Sequence, residues 1–283
     1  MSIKVSEPIR RPTSDAVVHT YRKGVATRRK SDTLISEEPL EIRAHGPGQI
    51  PVAVATIMRT PGSDFELAVG FLLSEGVLKS KGDLATVCYC NLEGSEEQRY
   101  NVVTVELRIP YLAGRDRQTP ISSSCGICGT ASIDQIEREL DPIQSDLIVD
   151  PAVIGGAPAE LRRRQKLFAK TGGVHGAALM DCGGTIKYCN EDVGRHNALD
   201  KVLGKALMDS KLPLSDSVAV LSGRIAFDMV QKAAMAGVPV VVAVGAPTNL
   251  AVELADRSNI ALCGFTTDEH FNVYSHPERI ALN

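Results

Sequence analysis

The last third of the chain alternates between apolar runs and helix-like stripes, and this alternation restricts the fold more than any other feature. Residues 238–244 (Val-Pro-Val-Val-Val-Ala-Val) are apolar throughout, which is typical of a strand buried on both faces of a sheet. Residues 217–221 and 259–264 are further strand candidates, and stripes with helical spacing separate the three. Strand–helix–strand order predicts a sheet with parallel strands that helices cover, which is an α/β fold.

The first half of the chain predicts a smaller α+β layer. Residues 39–43 and 51–58 read as strands, and the helical pattern that follows Ser63 carries a capping-box sequence. Two strand-like runs within 84–107 flank a polar loop and predict a hairpin. A second hairpin is predicted within 174–190, around a Cys-Gly-Gly turn.

These patterns divide the chain into three expected regions. They are a flexible basic tail at 1–32, an N-terminal α+β subdomain at 33–115 and an α/β domain at 116–283. The tail contains a basic cluster, namely Arg10, Arg11, Arg22, Lys23, Arg28, Arg29 and Lys30. A solvated tail explains this cluster, and a docking arm for an acidic partner is the alternative.

Composition excludes several classes of protein. The 283 residues are 43% hydrophobic and carry a net charge of −3, so we expect a real core and no nucleic-acid-binding surface of general basic character. No apolar run reaches the roughly 18 residues of a membrane span, and the basic N-terminus lacks the apolar segment of a signal peptide. Seven cysteines without a disulfide-like framework indicate a reducing cytoplasm.

Cys125 and Cys128 lie two residues apart between glycines, just before a stripe of helical spacing. A helix N-terminus stabilises negative charge, so a reactive thiolate is favoured there. Three interpretations fit the spacing. On spacing alone, half of a structural zinc site ranks first. A thioredoxin-type dithiol and a persulfide carrier rank equally after it.

Another cysteine pair, Cys88 and Cys90, has a single spacer residue, which is unusual for a zinc site. On a strand the two side chains would face the same side, and we expect buried free thiols.

Loops after the predicted strands carry candidate ligand-binding residues. His175 follows two glycines, Arg195 and Asn197 stand at a helix start where Asn197 could be the cap, and Arg224 follows a buried strand. A fourth loop, 246–248 (Ala-Pro-Thr), has a similar position. Such loops are where open α/β sheets bind ligands, so a phosphate-bearing ligand is expected, although a structural Asp–Arg pair also explains Arg195. None of these loops matches a P-loop or a dinucleotide fingerprint. The only His-x-Glu, at 276–278, contains a proline and lies near the C-terminus, so zinc deaminase chemistry is not expected.

Together these motifs resemble the FdhD family of formate dehydrogenase accessory sulfurtransferases. The matching stretches, in the family's order, are 37–42 (Glu-Glu-Pro-Leu-Glu-Ile), 60–62 (Thr-Pro-Gly), 66–76, 123–129 (Ser-Ser-Cys-Gly-Ile-Cys-Gly), 171–177 (Thr-Gly-Gly-Val-His-Gly-Ala), 192–201 (Asp-Val-Gly-Arg-His-Asn-Ala-Leu-Asp-Lys), 222–224 (Ser-Gly-Arg) and 246–248. They extend over roughly residues 37–276.

The resemblance implies a cytidine-deaminase-like mixed sheet with covering helices and no zinc site. It implies a sulfur carrier that takes sulfur from a cysteine desulfurase as a persulfide on Cys125, with Cys128 assisting. The acceptor would be the bis-molybdopterin guanine dinucleotide cofactor, with Mo or W, of the formate dehydrogenase catalytic subunit. Binding of guanine nucleotide such as GDP and a homodimer are implied as well.

The family's cofactor-binding region corresponds here to Phe265, Thr266, Thr267, Asp268, Glu269 and His270. Thr267 stands where the family commonly has Arg, so one positive charge is missing from this segment. For binding the cofactor we add His175, Arg195, Asn197 and Arg224, and we expect no metal ligands. The alternative functions are a non-catalytic chaperone that holds the cofactor or apoenzyme and, third, a zinc-stabilised binding module.

Overall fold

The computed structural model describes residues 11–23, 25–89, 100–112 and 140–281. Its strands are β1 Thr13–Arg22, β2 Val25–Ile35, β3 Glu38–His45, β4 Val52–Arg59, β5 Leu84–Tyr89, β6 Val102–Leu107, β7 His175–Asp181, β8 Ile186–Asp192, β9 Ser217–Leu221, β10 Val240–Ala243, β11 Ala261–Gly264 and β12 Asn272–Ser275. The described helices are α1 Asp64–Ser74, α2 Pro151–Arg164, α3 Lys166–Thr171, α4 Arg195–Met208, α5 Phe227–Met235 and α6 Asn249–Arg257. None of these helices is long and apolar enough to cross a membrane.

The larger sheet has six strands in the order β12-β11-β10-β9-β7-β8. Its centre, β9-β10-β11, is parallel, and helices α5 and α6 connect these strands. The hairpin β7–β8 and the edge strand β12 are antiparallel. The parallel centre and this hairpin confirm the sequence predictions, and the mixed α/β class is confirmed with them.

Both faces of the six-stranded sheet are buried. All four residues of β10 have no exposed surface, because α2 packs on one face and α4, α5 and α6 pack on the other. Alternate residues of the strand therefore enter different cores: Val240 and Val242 face α2, whereas Val241 faces the other helices. This two-sided burial is the reason for the uninterrupted apolar run in the sequence.

The smaller sheet has four strands in the order β4-β3-β6-β5, and it includes the predicted hairpin of β5 with β6. Helix α1 joins this sheet to the rest of the protein by crossing α4 at very close range. An alanine Cβ at Gly70 would clash with the backbone oxygen of Asp200, and one at Gly204 would clash with that of Glu66. One apolar core consequently extends from the smaller sheet through α1 and α4 to the larger sheet.

The segment 1–32 is not entirely the loosely ordered tail that the sequence suggested. Residues 13–35 form the antiparallel hairpin β1–β2, with Thr13 paired to Ile35. Its polar side chains hid this strand pattern, because no described side chain of the hairpin is fully buried and the hairpin needs no apolar alternation. Val17 and Tyr21 are exposed on it.

Two further local predictions are wrong. Ser63 begins α1 in a left-handed conformation, with φ 54°, and its side chain makes no capping hydrogen bond, so there is no capping box. Cys88 is exposed and not buried, whereas Cys90 lies outside the described residues. The division between regions at 115 and 116 also falls outside the described residues and stays a prediction.

Candidate functional site

The loops that follow β9, β10 and β11 meet at one edge of the larger sheet and border a cavity of about 710 Å³. Backbone hydrogen bonds hold the loops together: Gly245 N donates to Gly223 O at 3.1 Å, and Phe265 N donates to Gly245 O at 3.2 Å. A Cβ at Gly245 would lie only 2.8 Å from Gly223 O, so this contact requires glycine. The cavity therefore lies at the carboxyl ends of the parallel strands, where the sequence predicted ligand binding.

The cavity collects several of the predicted residues and some that were not predicted. It is lined by Gly155, Pro158, Ala159, Leu161, Arg162, Gln165, Phe168, Gly172, Gly173, Val174, His175, Val193, Ser222, Val244, Thr266, Thr267 and Asp268. One side consists of the end of α2 with α3, and the other of the strand-end loops.

His175 begins β7 and is half-buried at the cavity wall. Burial, then the positive charge of Arg195, lowers the pKa of the imidazole below its usual value. His175 is therefore neutral near pH 7 and can both donate and accept a hydrogen bond.

Arg195 is the first residue of α4 and lies beside His175 and Gly223. Its Nε is buried and finds no hydrogen-bond partner among the described residues. The adjacent His196 instead pairs with the carboxylate of Asp228. A buried guanidinium nitrogen without a partner is costly, so Arg195 is a candidate donor to an anion, but its side chain is not among those that line the cavity. Arg224 is exposed on the neighbouring loop.

Asn197 has a different position from the one predicted. The N-cap of α4 is Gly194, and Asn197 lies in the first turn, so the cap prediction is wrong. Its side-chain amide donates to Asp192 Oδ1 at 2.9 Å and to Met58 O at 2.8 Å. Both amide hydrogens thus bond within the protein, and these bonds explain the position of Asn197 by a structural role. Its predicted contact with a ligand is not tested.

The acid pair that precedes α4 is structural as well. Glu191 accepts hydrogen bonds from the backbone N–H groups of Leu167 and Phe168, each at 2.8 Å, and so caps α3. Asp192 is fully buried and pairs with Lys201 at 2.7 Å, and it also accepts from Thr60 N at 3.0 Å. The structure thus uses these acids to hold backbone segments together.

Within the segment 265–270, which follows β11, residues 266–268 line the cavity. Thr266 is 1% exposed, and its hydroxyl has no partner among the described residues. Thr267 closes the turn, because its hydroxyl accepts from His270 N at 3.1 Å and contacts His270 Nδ1 at 3.0 Å. Thr267 and Asp268 line the cavity, whereas Phe265, Glu269 and His270 are exposed and lie outside its lining.

Sequence reasoning missed the side of the cavity that α2 and α3 provide. The guanidinium of Arg162 lies 3.7 Å from the ring centroid of Phe168, and Gln165 is buried between these two positions. The basic character of this helical stretch was visible in the sequence. Nothing in the local sequence indicated that it faces the loops near His175, since that depends on how α2 packs on the sheet.

Cys125 and Cys128 lie outside the described residues. Among the residues that are described, no three His, Cys, Asp or Glu side chains come close enough to hold a metal ion.

The fold and the cavity define an α/β protein with a largely apolar cavity, bordered by a few polar and charged side chains, at the carboxyl ends of parallel strands. Comparison with known sequences makes this more specific. The family model described as FdhD/NarQ family matches residues 35–281, so the chain belongs to the FdhD/NarQ family.

Curated relatives agree over nearly the whole chain. The sulfur carrier protein FdhD of Streptomyces coelicolor is 44% identical and aligns with 96% of this chain and 97% of its own length. That of Mycobacterium tuberculosis is 45% identical over 93% of this chain and 96% of its own. A crystal structure of a putative formate dehydrogenase accessory protein from Desulfotalea psychrophila superposes with a TM-score of 0.74 at 25% identity, covering 95% of this chain and 100% of that one.

Proposed function

We propose that this protein is a sulfurtransferase that carries sulfur for the maturation of formate dehydrogenase. It accepts sulfur from a cysteine desulfurase as a persulfide on Cys125 and delivers it to the bis-molybdopterin guanine dinucleotide cofactor, before this cofactor enters the catalytic subunit. The curated relatives' name, sulfur carrier protein FdhD, supports the carrier role, and the description of the structural neighbour supports formate dehydrogenase as the client.

The cavity beside Arg195 is the observation that carries the proposal for cofactor binding. Its volume of about 710 Å³ falls within the range of roughly 300–1,000 Å³ typical of small-molecule sites. Gln165 and Thr266 line the cavity, and Arg195 lies beside its wall at His175; each has a buried polar atom (Nε2, Oγ1 and Nε) without a partner among the described residues. A ligand with phosphate and base acceptors would satisfy donors of this kind, so the donor set fits a guanine nucleotide, and GDP serves as its mimic.

The proposed chemistry at the cysteines needs no outside oxidant. The Cys125 thiolate attacks the outer sulfur of the desulfurase persulfide, the S–S bond of the donor breaks and the donor leaves as a thiolate. Cys125 then holds one additional sulfur atom. Attack of the Cys128 thiolate on the inner sulfur forms a Cys125–Cys128 disulfide and releases the outer sulfur as sulfide. The oxidation of the two thiols to a disulfide thereby supplies the two electrons that reduce the outer sulfur to sulfide.

The remaining parts of the proposal concern the setting. Seven cysteines in a sequence without a disulfide-like framework support a reducing compartment such as the cytoplasm. We include a homodimer in the proposal because the family resemblance implies one. The sequence favours neither molybdenum nor tungsten.

Intact mass measured after incubation with cysteine and a cysteine desulfurase tests the carrier role. We expect a gain of about one sulfur atom that is lost on reduction and is absent in Cys125→Ser. Cys88→Ser is the matched control, because it changes an exposed cysteine elsewhere in the chain, and it should keep the gain. If neither the unaltered protein nor Cys88→Ser gains sulfur, and formate dehydrogenase still matures with Cys125→Ser, the result would support the non-catalytic chaperone instead.

A further inference from the structure

The hairpin β1–β2 is only loosely attached to the rest of its own chain. It forms a sheet of two strands, and no other described strand pairs with it. None of its described side chains is fully buried. Its base is attached through Ser36 N, which donates to Pro12 O at 2.8 Å, and through Ile35, which contacts the turn at Gly173. A two-stranded hairpin alone is at best marginally stable in water, so a further contact would stabilise this one.

The hairpin is basic and partly apolar on its exposed surface. Residues 13–35 contain five Lys or Arg and two Asp, so their net charge is +3, whereas that of the whole chain is −3. Arg29 and Lys30 are exposed, and neither pairs with a described carboxylate. Val17 is 57% exposed and Tyr21 75%. Apolar side chains beside unpaired positive charge fit a protein surface that is apolar in part and bordered by acids.

A surface of this kind lies on the body of the same chain, at the segment 141–150. The segment contains three Asp and no Lys or Arg, and all three Asp are exposed. Ile148, two residues after Asp146, is 60% exposed. Asp146 and the exposed Glu278 both lie near the guanidinium of Arg279, so an acid from a neighbouring turn extends this surface. The acidic segment therefore complements the hairpin both in charge and in apolar character.

Hydrogen bonds hold the acidic segment on the body. Ile143 N donates to Ser258 O at 3.0 Å, and the Asn259 amide donates to Ile143 O at 2.8 Å. Further along, Arg279 donates to Ser145 O at 2.7 Å. The segment is thus a fixed surface, and a partner would not have to order it on binding.

We infer that the hairpin β1–β2 of one copy packs against the acidic segment 141–150 of a second copy of this chain. A second copy has the opposite charge to the hairpin, because the 260 residues outside 13–35 carry a net charge of −6. Two-fold symmetry repeats the contact, so each copy gives its hairpin to the other and the dimer is closed. This inference rests on the homodimer in the proposed function, and it adds the surfaces that form the dimer.

Charge reversal on either surface should weaken the dimer. Arg29→Glu/Lys30→Glu places negative charge opposite the acidic segment, so the dimer Kd should increase by about tenfold or more. Asp141→Lys/Asp146→Lys should have a similar effect from the other side of the contact. Lys79→Glu/Lys81→Glu is the control, because it makes the same change of charge at exposed lysines elsewhere and should leave the dimer Kd unchanged. Sedimentation velocity of the full-length protein measures the dimer Kd.

Both reversals combined in one chain test whether the two surfaces meet. The reversed hairpin then faces a reversed segment, so the combined variant should recover the dimer. If neither reversal weakens the dimer, or if the combined variant is folded by circular dichroism and still monomeric, the inference is overturned. The basic hairpin would then be left for an acidic surface of a different protein.

Salt provides a test that needs no variant. Added salt screens exposed charges, so it should raise the dimer Kd of the unaltered protein, and a Kd that does not change with salt would overturn the inference. If the unaltered protein is a monomer at low salt, the proposed homodimer fails and this inference fails with it. If it is a dimer that the hairpin reversal leaves intact, only the role of the hairpin fails.

Discussion

The buried pair of Asp192 and Lys201 should be among the most sensitive points of the structure. Their side chains are 0% and 1% exposed, and Lys201 Nζ lies 2.7 Å from Asp192 Oδ2 and 2.9 Å from Thr60 O. Lys201→Met keeps most of the apolar stem but leaves the Asp192 carboxylate buried without its counter-ion. Breaking such a pair from one side costs about 3–5 kcal/mol.

Thermal unfolding measures this cost directly. For a domain of this general size, about 2–4 °C of Tm is lost per kcal/mol, so Lys201→Met should lower Tm by about 6–20 °C. Lys205→Met is the matched control, since Lys205 is on the same helix and pairs with Asp209 at the surface. That exposed pair contributes at most about 0.5 kcal/mol.

The double variant Asp192→Asn/Lys201→Met separates the pair from its surroundings. It removes both charges, so it should be less destabilised than the sum of the single variants. A loss of less than about 1 kcal/mol in Lys201→Met would refute the reasoning, because a buried carboxylate without its counter-ion would then cost no more than an ordinary surface change.

Three further predictions concern the helix crossing and the cavity. Gly70→Ala should destabilise the protein by about 1–3 kcal/mol or more, because the new Cβ would clash with the Asp200 backbone. Gly156→Ala is the control: Gly156 lies inside α2 with open space around it, so this change should be neutral or stabilising. Urea unfolding compares the stability of the two variants. The pKa of His175 is lowered in the folded state, so its contribution to stability should be fully present above the unfolded-state pKa of about 6.5. The contribution should be lost as the pH falls through the folded-state pKa. NMR titration of His175 would detect the lowered pKa, and unfolding of the unaltered protein compared with His175→Gln at several pH values would detect the lost stability. Arg195→Gln should weaken GDP binding with little change in Tm, and unchanged affinity in a calorimetric titration would remove Arg195 from the site.

The sequence predicted the larger sheet well because its signal is local. A strand buried on both faces must be apolar at every position, as 240–243 are, and the hairpin of β7 with β8 is bounded by a glycine turn. The hairpin β1–β2 gave no such signal, since an exposed strand pair tolerates polar residues on both faces.

The site was predictable only in part, for a related reason. His175 begins β7, and Thr266 and Asp268 follow β11, so the order of the strands places all three at one edge of the sheet. Gln165 belongs to the opposite wall, which is placed by the packing of α2 on the sheet. No periodicity or motif encodes that a particular glutamine is buried there without a partner.

The acid pair Glu191–Asp192 links these observations, because each carboxylate positions one side of the cavity. Glu191 binds the backbone N–H groups of Leu167 and Phe168 and so fixes α3. Asp192 accepts from Gly194 N at 2.9 Å, at the residue that precedes Arg195, and so fixes the start of α4. Two neighbouring residues at the end of β8 therefore hold both α3, which carries Phe168, and the start of α4. A motif that the sequence suggested as a phosphate-binding loop is thus divided by role: its acids hold backbone segments in place, and its arginine lies beside His175, outside the cavity lining, with a buried Nε that has no partner among the described residues.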